Sequence, residues 1–338
     1  MLSQSIPAIC IDVDGVLKRG PVPIPGAIEA IKKLRKYKIP FSILTNGGGE
    51  TEQVRAKSLS KRLQLSEKEK LKSDEVVLCH SPMKDVLKKY KNGTMLICGA
   101  GKIKEVMMNY GYYNFITTKE YANMYPEMFP FFFDLNRDPN HVSNIRTIVG
   151  QRLHRDMSKF PKIDAIVQIT DITRWEINIQ LFSDLLISNN GIPGTVLKAN
   201  EPQKVDYHLA CLDLLYMDKF PIPRFACGAA FYCLQNLFKL KYNRDIVFTD
   251  YGKPSKVIFN YARKKILQKN SNISTFYMIG DKQEVDIKGA NESGFHSILV
   301  RTGIFKGINS KLNPAKKVVD DISKAVDYIL YREGVKLL

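Results

Sequence analysis

Short, nearly unbroken apolar runs recur along this chain, and most lead into a segment whose apolar residues repeat at helical spacing. The runs at residues 8–11, 41–44, 246–248, 276–279 and 297–300 lack polar alternation. That pattern predicts strands buried on both faces, the kind found in parallel sheets. Helical spacing appears over residues 26–37, 51–63, 253–267 and 286–293, with one apolar face each. Strand alternating with helix predicts an α/β fold with a doubly wound parallel sheet.

The two halves of that sheet lie far apart in the chain. Between them come further strand-like runs at 76–79, 95–98 and 165–169, and long helical patterns near 175–188 and 231–240. An insertion of this size with its own β/α pattern predicts a second domain lodged in the first. The expected division is a core of residues 1–80 and 245–338 and an inserted α/β domain of residues 81–244. Loop-like stretches rich in Pro, Asn and Gly, at 125–144 and 189–203, decorate the insert.

Length agrees with two domains, since 338 residues exceed what one hydrophobic core usually serves. A content of 44% hydrophobic and 25% charged residues belongs to folded globular chains rather than disordered ones. The formal net charge is +17, from 51 Lys and Arg against 34 Asp and Glu, which suits anionic partners. The basic residues are dispersed, however. Lys32, Lys33, Arg35, Lys36 and Lys38 share a helical stretch with Ile28, Ile31 and Leu34 on another face, which describes a solvated helix surface. No basic stripe with interleaved aromatics occurs, so no nucleic-acid partner is expected.

None of the six cysteines forms a Cys-x-x-Cys pair, and most sit in apolar runs. Free buried thiols in a reducing compartment fit this better than disulfides or zinc. No apolar run is long enough to span a bilayer, and the richest, residues 129–133, is interrupted by Pro130. The first strand leaves no room for a leader ahead of it. A soluble, intracellular protein is the expectation.

The polar residues that end the apolar runs carry the chemistry. In open parallel sheets ligands bind outside the carboxyl ends of the strands. Here those ends give Asp12-Val13-Asp14-Gly15, Thr45-Asn46-Gly47-Gly48-Gly49, Gly252-Lys253-Pro254, and Gly280-Asp281 with Asp286 five positions on. Alternate carboxylates at a strand end point the same way and repel, which favours a divalent cation and unequal roles. One would act as nucleophile and the other as acid/base. Taken alone, the same string describes an ordinary turn or part of a calcium loop. A threonine entering a glycine-rich turn can hold phosphate, and Lys253, just before a proline at a helix start, can neutralise it. Magnesium takes one or two carboxylates, phosphate and waters. Asp12 and Asp281 with the Asp14 carbonyl meet that need, with Asp286 orienting waters or Lys253. The joint placement of these residues favours phosphoryl transfer.

These four motifs resemble those of the haloacid dehalogenase superfamily, and the large insertion resembles the cap of its subfamily IIA. His80-Ser81-Pro82, Asp213-Leu214-Leu215-Tyr216, Pro223-Arg224-Phe225 and Gly289-Ala290-Asn291-Glu292 are similar to the branch named for cat eye syndrome critical region protein 5. The resemblance implies Asp12 as the nucleophile of an aspartyl-phosphate intermediate and Asp14 as acid, then base. It further implies phosphate binding by Thr45, Asn46 and Lys253, and Mg²⁺ held by Asp12, Asp14 and Asp281. It implies a small phosphorylated substrate, admits a homo-oligomer formed through the cap, and points to mitochondria and glycerophospholipid metabolism. Taken at face value, the lack of a visible transit peptide points to the cytoplasm instead. One departure is Ala226-Cys227 where the family pattern would have Gly-Gln. Two other readings stay open at this level: a non-catalytic phospholigand-binding or scaffold protein, and a phosphotransferase or phosphomutase. Trp175, His80 and His208 read as packing residues.

Overall fold

The first apolar run extends from Ile6 to Ile11 and lies inside a six-stranded sheet whose pairings are all parallel. The strand order is Lys317–Val319, His296–Val300, Ile273–Gly280, Ile6–Ile11, Phe41–Thr45 and Val76–Leu78. The register sets Ile11 beside Ile279 on one side and Ile43 on the other. This is a computed structural model, in which residues 6–129, 160–216, 220 and 222–335 are described. The chain divides into two units: Met1–Pro82, Leu215–Arg224 and Tyr251–Leu338, then Met83–Leu214 and Phe225–Asp250.

Alternation along the strands sends their side chains to two cores. Ile9, Ile11, Ile43 and Ile279 share a core with Ile31 and Leu34 of the helix Ala27–Lys36 and with Val326, Ile329 and Leu330 of the helix Ile322–Arg332. Ala8, Cys10, Leu44 and Met278 face the opposite way and meet Ile258, Phe259 and Ala262 of the helix Lys256–Lys269. The basic residues of Ala27–Lys36 lie outside its buried set. Each fully buried aliphatic side chain contributes about 1.5–3 kcal/mol, so covering both faces is what holds these short strands together.

The second unit is built on another all-parallel sheet, in the order Thr249–Asp250, Asp206–Leu209, Ala165–Gln168, Met95–Cys98 and Phe115–Thr117. The helices Trp175–Leu186 and Cys227–Tyr242 flank it. Phe182, Tyr207, Phe231 and Phe248 form a chain of ring contacts there. Trp175 is partly buried, its indole N–H donating to the Ile172 carbonyl at 3.0 Å. Five cysteines are buried and Cys233 is exposed, and none is in a disulfide. Among the described residues no helix is long and apolar enough to cross a membrane.

Three expectations differ from the structure. The run at 76–79, read with the strands between the two halves of the first sheet, pairs instead at that sheet's edge as Val76–Leu78, within the expected core of residues 1–80. The run at 246–248 is no strand of the first sheet. Val247 is 68% exposed, and only Thr249–Asp250 pairs, with Asp206–Leu209 of the second sheet. The helix expected from residue 253 starts at Lys256, because the Ser255 hydroxyl accepts from the Val257 N–H and caps it. Strands Phe115–Thr117 and Lys317–Val319 were too short to stand out, and Asp206–Leu209 too polar. The run 129–133 beyond Phe129, and most of the loop at 125–144, lie outside the described residues.

Leu330 is fully buried, so Leu330→Ala should cost about 2–5 kcal/mol of stability. Urea unfolding checks this, and a loss under about 1 kcal/mol would contradict the packing described.

Candidate active site

Neighbouring parallel strands run about 4.8 Å apart, so residues leaving adjacent carboxyl ends are brought together by the sheet itself. Asp12 leaves the first strand with its N–H still bonded to the Ile279 carbonyl at 3.0 Å. Thr45 closes the Phe41–Thr45 strand, and Asp281 follows Ile273–Gly280 directly. Asp286 lies in the π-helical turn Gln283–Ile287. Lys253 comes from the segment ahead of the helix Lys256–Lys269 and not from a strand of this sheet.

The Lys253 ammonium is the hub. It donates to Asp12 Oδ1 at 2.7 Å and to Asp286 Oδ1 at 2.6 Å, and the lysine is only 2% exposed. Asp286 spends its other oxygen on the backbone N–H groups of Asp281 at 3.2 Å and Lys282 at 3.1 Å. Asn46 fixes the main chain of Lys253: its amide donates to the Lys253 carbonyl at 2.9 Å and its Oδ1 accepts from the Lys253 N–H at 2.8 Å. The Asn46 amide is therefore engaged on protein backbone. Thr45 is buried, and its hydroxyl oxygen accepts from Gly47 N–H at 3.0 Å, folding its own turn.

Carboxylate oxygens of Asp12, Asp281 and Asp286 come within 4.8 Å of one another, all buried. Asp281 accepts from the Ile304 N–H through Oδ2 at 2.7 Å, while its buried Oδ1 has no hydrogen-bond partner among the described residues. Three acids against one lysine leave excess negative charge in a dry site, which a cation or protonation must offset. Since both Asp286 oxygens are occupied, Asp12 and Asp281 are the better metal ligands. The orphaned Asp281 oxygen and the hard oxygen donors fit a magnesium-like ion.

Asp14 stands apart. Its side chain is 54% exposed and ion-paired with Lys18, and its carboxylate lies outside the acidic cluster. Sequence reasoning did not find Lys18, nor the loop Thr302–Ile304. There the Thr302 hydroxyl donates to the Gly15 carbonyl at 2.6 Å. Glycine is required at two places against Asp281: an added Cβ would meet its Oδ2 at 1.8 Å from Gly303 and at 2.4 Å from Gly15, whose φ is +87°. Gly303 follows the strand His296–Val300, so the strand-end rule applied to that run would have found it.

The electrostatics follow from burial. Desolvation raises the Asp12 carboxyl to about 6, against the lowering effect of Lys253. Desolvation, with Asp12 and Asp286 adding to it, raises Asp281 to about 7. Burial alone would discharge Lys253, but the two carboxylates outweigh it and hold the ammonium charged. Burial also drives His80 down to about 4, leaving a neutral packing imidazole.

A buried Asp-Lys-Asp-Asp constellation at the carboxyl ends of a doubly wound parallel sheet sets this chain among α/β proteins with a charged strand-end site. Two family models, a haloacid dehalogenase-like hydrolase at residues 9–113 and a second of the same hydrolase type at 250–325, match this chain. The chain belongs to the haloacid dehalogenase-like hydrolases. It is 34% identical over 326 residues to a cardiolipin synthase (CMP-forming)/mitochondrial hydrolase fusion protein of Schizosaccharomyces pombe, covering 94% of this chain and 52% of that protein. The chain thus spans about half the length of that relative. A mitochondrial hydrolase of Saccharomyces cerevisiae is 27% identical over 348 residues, with 94% of each chain covered. In fold, the chain is similar to a glycerol phosphate phosphatase of Mycobacterium tuberculosis in complex with calcium (TM-score 0.60, 15% identity, 94% of this chain and 73% of that one). That phosphatase is also known in complex with magnesium.

The raised carboxyls give a signed prediction. Groups whose folded pKa lies above the unfolded value stabilise at low pH and lose that contribution as pH rises through the folded value. In chelator, the cluster should therefore destabilise the protein progressively as pH climbs through 6 and 7, the values reached by Asp12 and Asp281. Asp281→Asn should flatten this slope. Thermal unfolding from about pH 5 to about pH 8 measures it, and parallel slopes for the two proteins would contradict the assignment. Gly303→Ala should displace Asp281 and abolish the stabilisation by added Mg²⁺ in the same assay.

Proposed function

We propose that this protein is a Mg²⁺-dependent phosphohydrolase acting on a small phosphoester. The observation that carries the reading is the buried cluster in which Lys253 bridges Asp12 and Asp286 while Asp281 keeps an unpartnered oxygen. A scaffold or simple binder gains nothing from crowding three acids out of water, and their desolvation would only cost stability.

In this reading Asp12 and Asp281, with the Asp14 carbonyl, hold the ion. Once bound, magnesium would supply positive charge beside the phosphoryl oxygens. Lys253 screens the approach of an anionic phosphate to the anionic nucleophile, and Asp286 and Asn46 keep it in place. Thr45 and the N–H groups of its glycine-rich turn receive the phosphoryl oxygens. An Asp12 oxygen attacks phosphorus, and the bond from phosphorus to the leaving oxygen breaks. Asp14, in its acid form, gives that oxygen a proton. The ionised Asp14 then takes a proton from water, whose oxygen attacks the aspartyl phosphate, releasing inorganic phosphate and Asp12. Asp14 must exchange its Lys18 partner for the substrate to do this, and its exposure supports that exchange.

The unit Met83–Leu214 with Phe225–Asp250 is assigned the choice of leaving group. Both relatives are named as mitochondrial hydrolases, and one is fused to a cardiolipin synthase. This supports a mitochondrial setting and a substrate drawn from glycerophospholipid chemistry.

Phosphate release from a panel of small phosphoesters, with and without Mg²⁺, tests the proposal. Asp12→Asn should abolish turnover while the protein still unfolds cooperatively, though at lower urea, because Lys253 keeps Asp286 but loses one buried partner. Asp14→Asn should slow it by about 10²–10⁴-fold. Undiminished phosphate release by Asp12→Asn would sink the reading.

A further inference from the structure

The second unit carries a cleft lined by its own residues. From the strand Met95–Cys98 the chain adds Phe115–Thr117 on one side, then passes back to add Ala165–Gln168 on the other. The winding therefore reverses between Met95–Cys98 and Ala165–Gln168. In open parallel sheets, the crevice outside the carboxyl ends at such a reversal is where ligands bind. A cleft of ≈ 620 Å³ lies at these strand ends, its lining including Gly99, Gly101, Lys102, Lys119, Thr173 and Asn178. That volume is in the range of small-molecule sites.

Its chemistry is specific. The turn Gly99-Ala100-Gly101-Lys102 leaves the first strand of the sheet with positive φ at both glycines, +138° and +84°. A Cβ on Gly99 would come within 2.8 Å of Thr170 Cγ2, so the two strand ends approach too closely for any other residue. Of the acids lining the cleft, Glu105 pairs with Lys102 at 3.1 Å, and Glu120 pairs with Lys104. Glu120 is further occupied by the Thr117 N–H at 2.9 Å and hydroxyl at 2.8 Å. Lys119 adds an exposed ammonium that these acids do not balance, so the rim favours an anion.

The floor favours a hydrogen-bond donor. Asn178 is 3% exposed, and its amide nitrogen donates to the carbonyls of Thr173 at 2.8 Å and Arg174 at 2.9 Å. Two carbonyl partners fix which end of the amide is nitrogen. Its Oδ1 then has no hydrogen-bond partner among the described residues. Leaving a buried acceptor unmade costs about 1–3 kcal/mol, which a donor on a ligand would recover.

We propose that this cleft binds a phosphorylated metabolite no larger than a mononucleotide. Its phosphate sits at the Gly99–Lys102 turn under Lys102 and Lys119, and a hydroxyl or amino group of the same molecule donates to Asn178 Oδ1. Ile103 and Ile172 line the cleft, so their methyl groups report its occupancy. AMP serves as the probe, titrated into isoleucine-methyl-labelled full-length protein carrying Asp12→Asn.

Saturable shifts of the Ile103 and Ile172 methyls are expected. Combining Lys102→Ala and Lys119→Ala, both at exposed positions, should weaken them about tenfold or more. The shifts of Ile11 and Ile279, beside the acidic cluster, should match in the two proteins. The proposal is overturned if Ile103 and Ile172 stay unmoved up to ~10 mM AMP, a range that would detect even weak millimolar binding, or if the lysine substitutions change nothing. Inorganic phosphate and adenosine, titrated separately, should each bind more weakly than AMP. Either of them binding as tightly as AMP would overturn the two-point recognition.

Discussion

The Lys253 ammonium, wedged between Asp12 and Asp286 with almost no exposure, constrains the rest of the first unit. Breaking a buried ion pair by removing one partner costs about 3–5 kcal/mol, so the three side chains must arrive together or not at all. They come from positions 12, 253 and 286, and only a sheet that places the first strand beside Ile273–Gly280 can unite them. Asn46, from the neighbouring strand, then locks the Lys253 backbone from its other side. The parallel registers of the strands around Ile6–Ile11 are in this sense conditions for keeping one cation out of water.

That cation is insufficient for the charge around it. Asp281 sits within reach of Asp12 and Asp286 with one oxygen bound to the Ile304 N–H and the other unpartnered. Glycines at 15 and 303 leave no side chain between the backbone and this carboxylate. In the proposed reaction the division between Asp12 and Asp14 follows from the same geometry. A nucleophile gains from a dry, charge-compensated setting, whereas a proton carrier must exchange with solvent and leaving group. Asp12 is buried, and Asp14, two residues on, is half exposed and held by Lys18. A bend at Val13, just past the end of the strand, separates the two environments.

The second unit applies the same architecture again. It too is an all-parallel sheet with loops gathered at the carboxyl ends, and its reversal of winding supplies a crevice with a glycine turn on one wall and Asn178 on the floor. No cluster of acids accompanies that crevice among the described residues. A site of this composition suits recognition of an anion, while the three carboxylates of the first unit suit its chemistry.

The amino-acid sequence by itself determined the periodicity of the core and the identity of the reactive groups. The unbroken apolar runs that became Ile6–Ile11, Phe41–Thr45, Ile273–Gly280 and His296–Val300 demand burial on both faces, and polar residues at their ends can only lie where the sheet stops. Asp12, Thr45 and Asp281 were legible for that reason. Strand membership was not: Val76–Leu78 and Thr249–Asp250 are short, and which sheet a short strand joins depends on pairing partners distant in the chain. Nor could the sequence show that Asn46 grips Lys253, that Lys18 holds Asp14, or that Gly303 faces Asp281. Those contacts join residues up to hundreds of positions apart, or depend on side-chain directions fixed only when the loops close. Residue type is local information, whereas hydrogen-bond partnership is decided by tertiary packing.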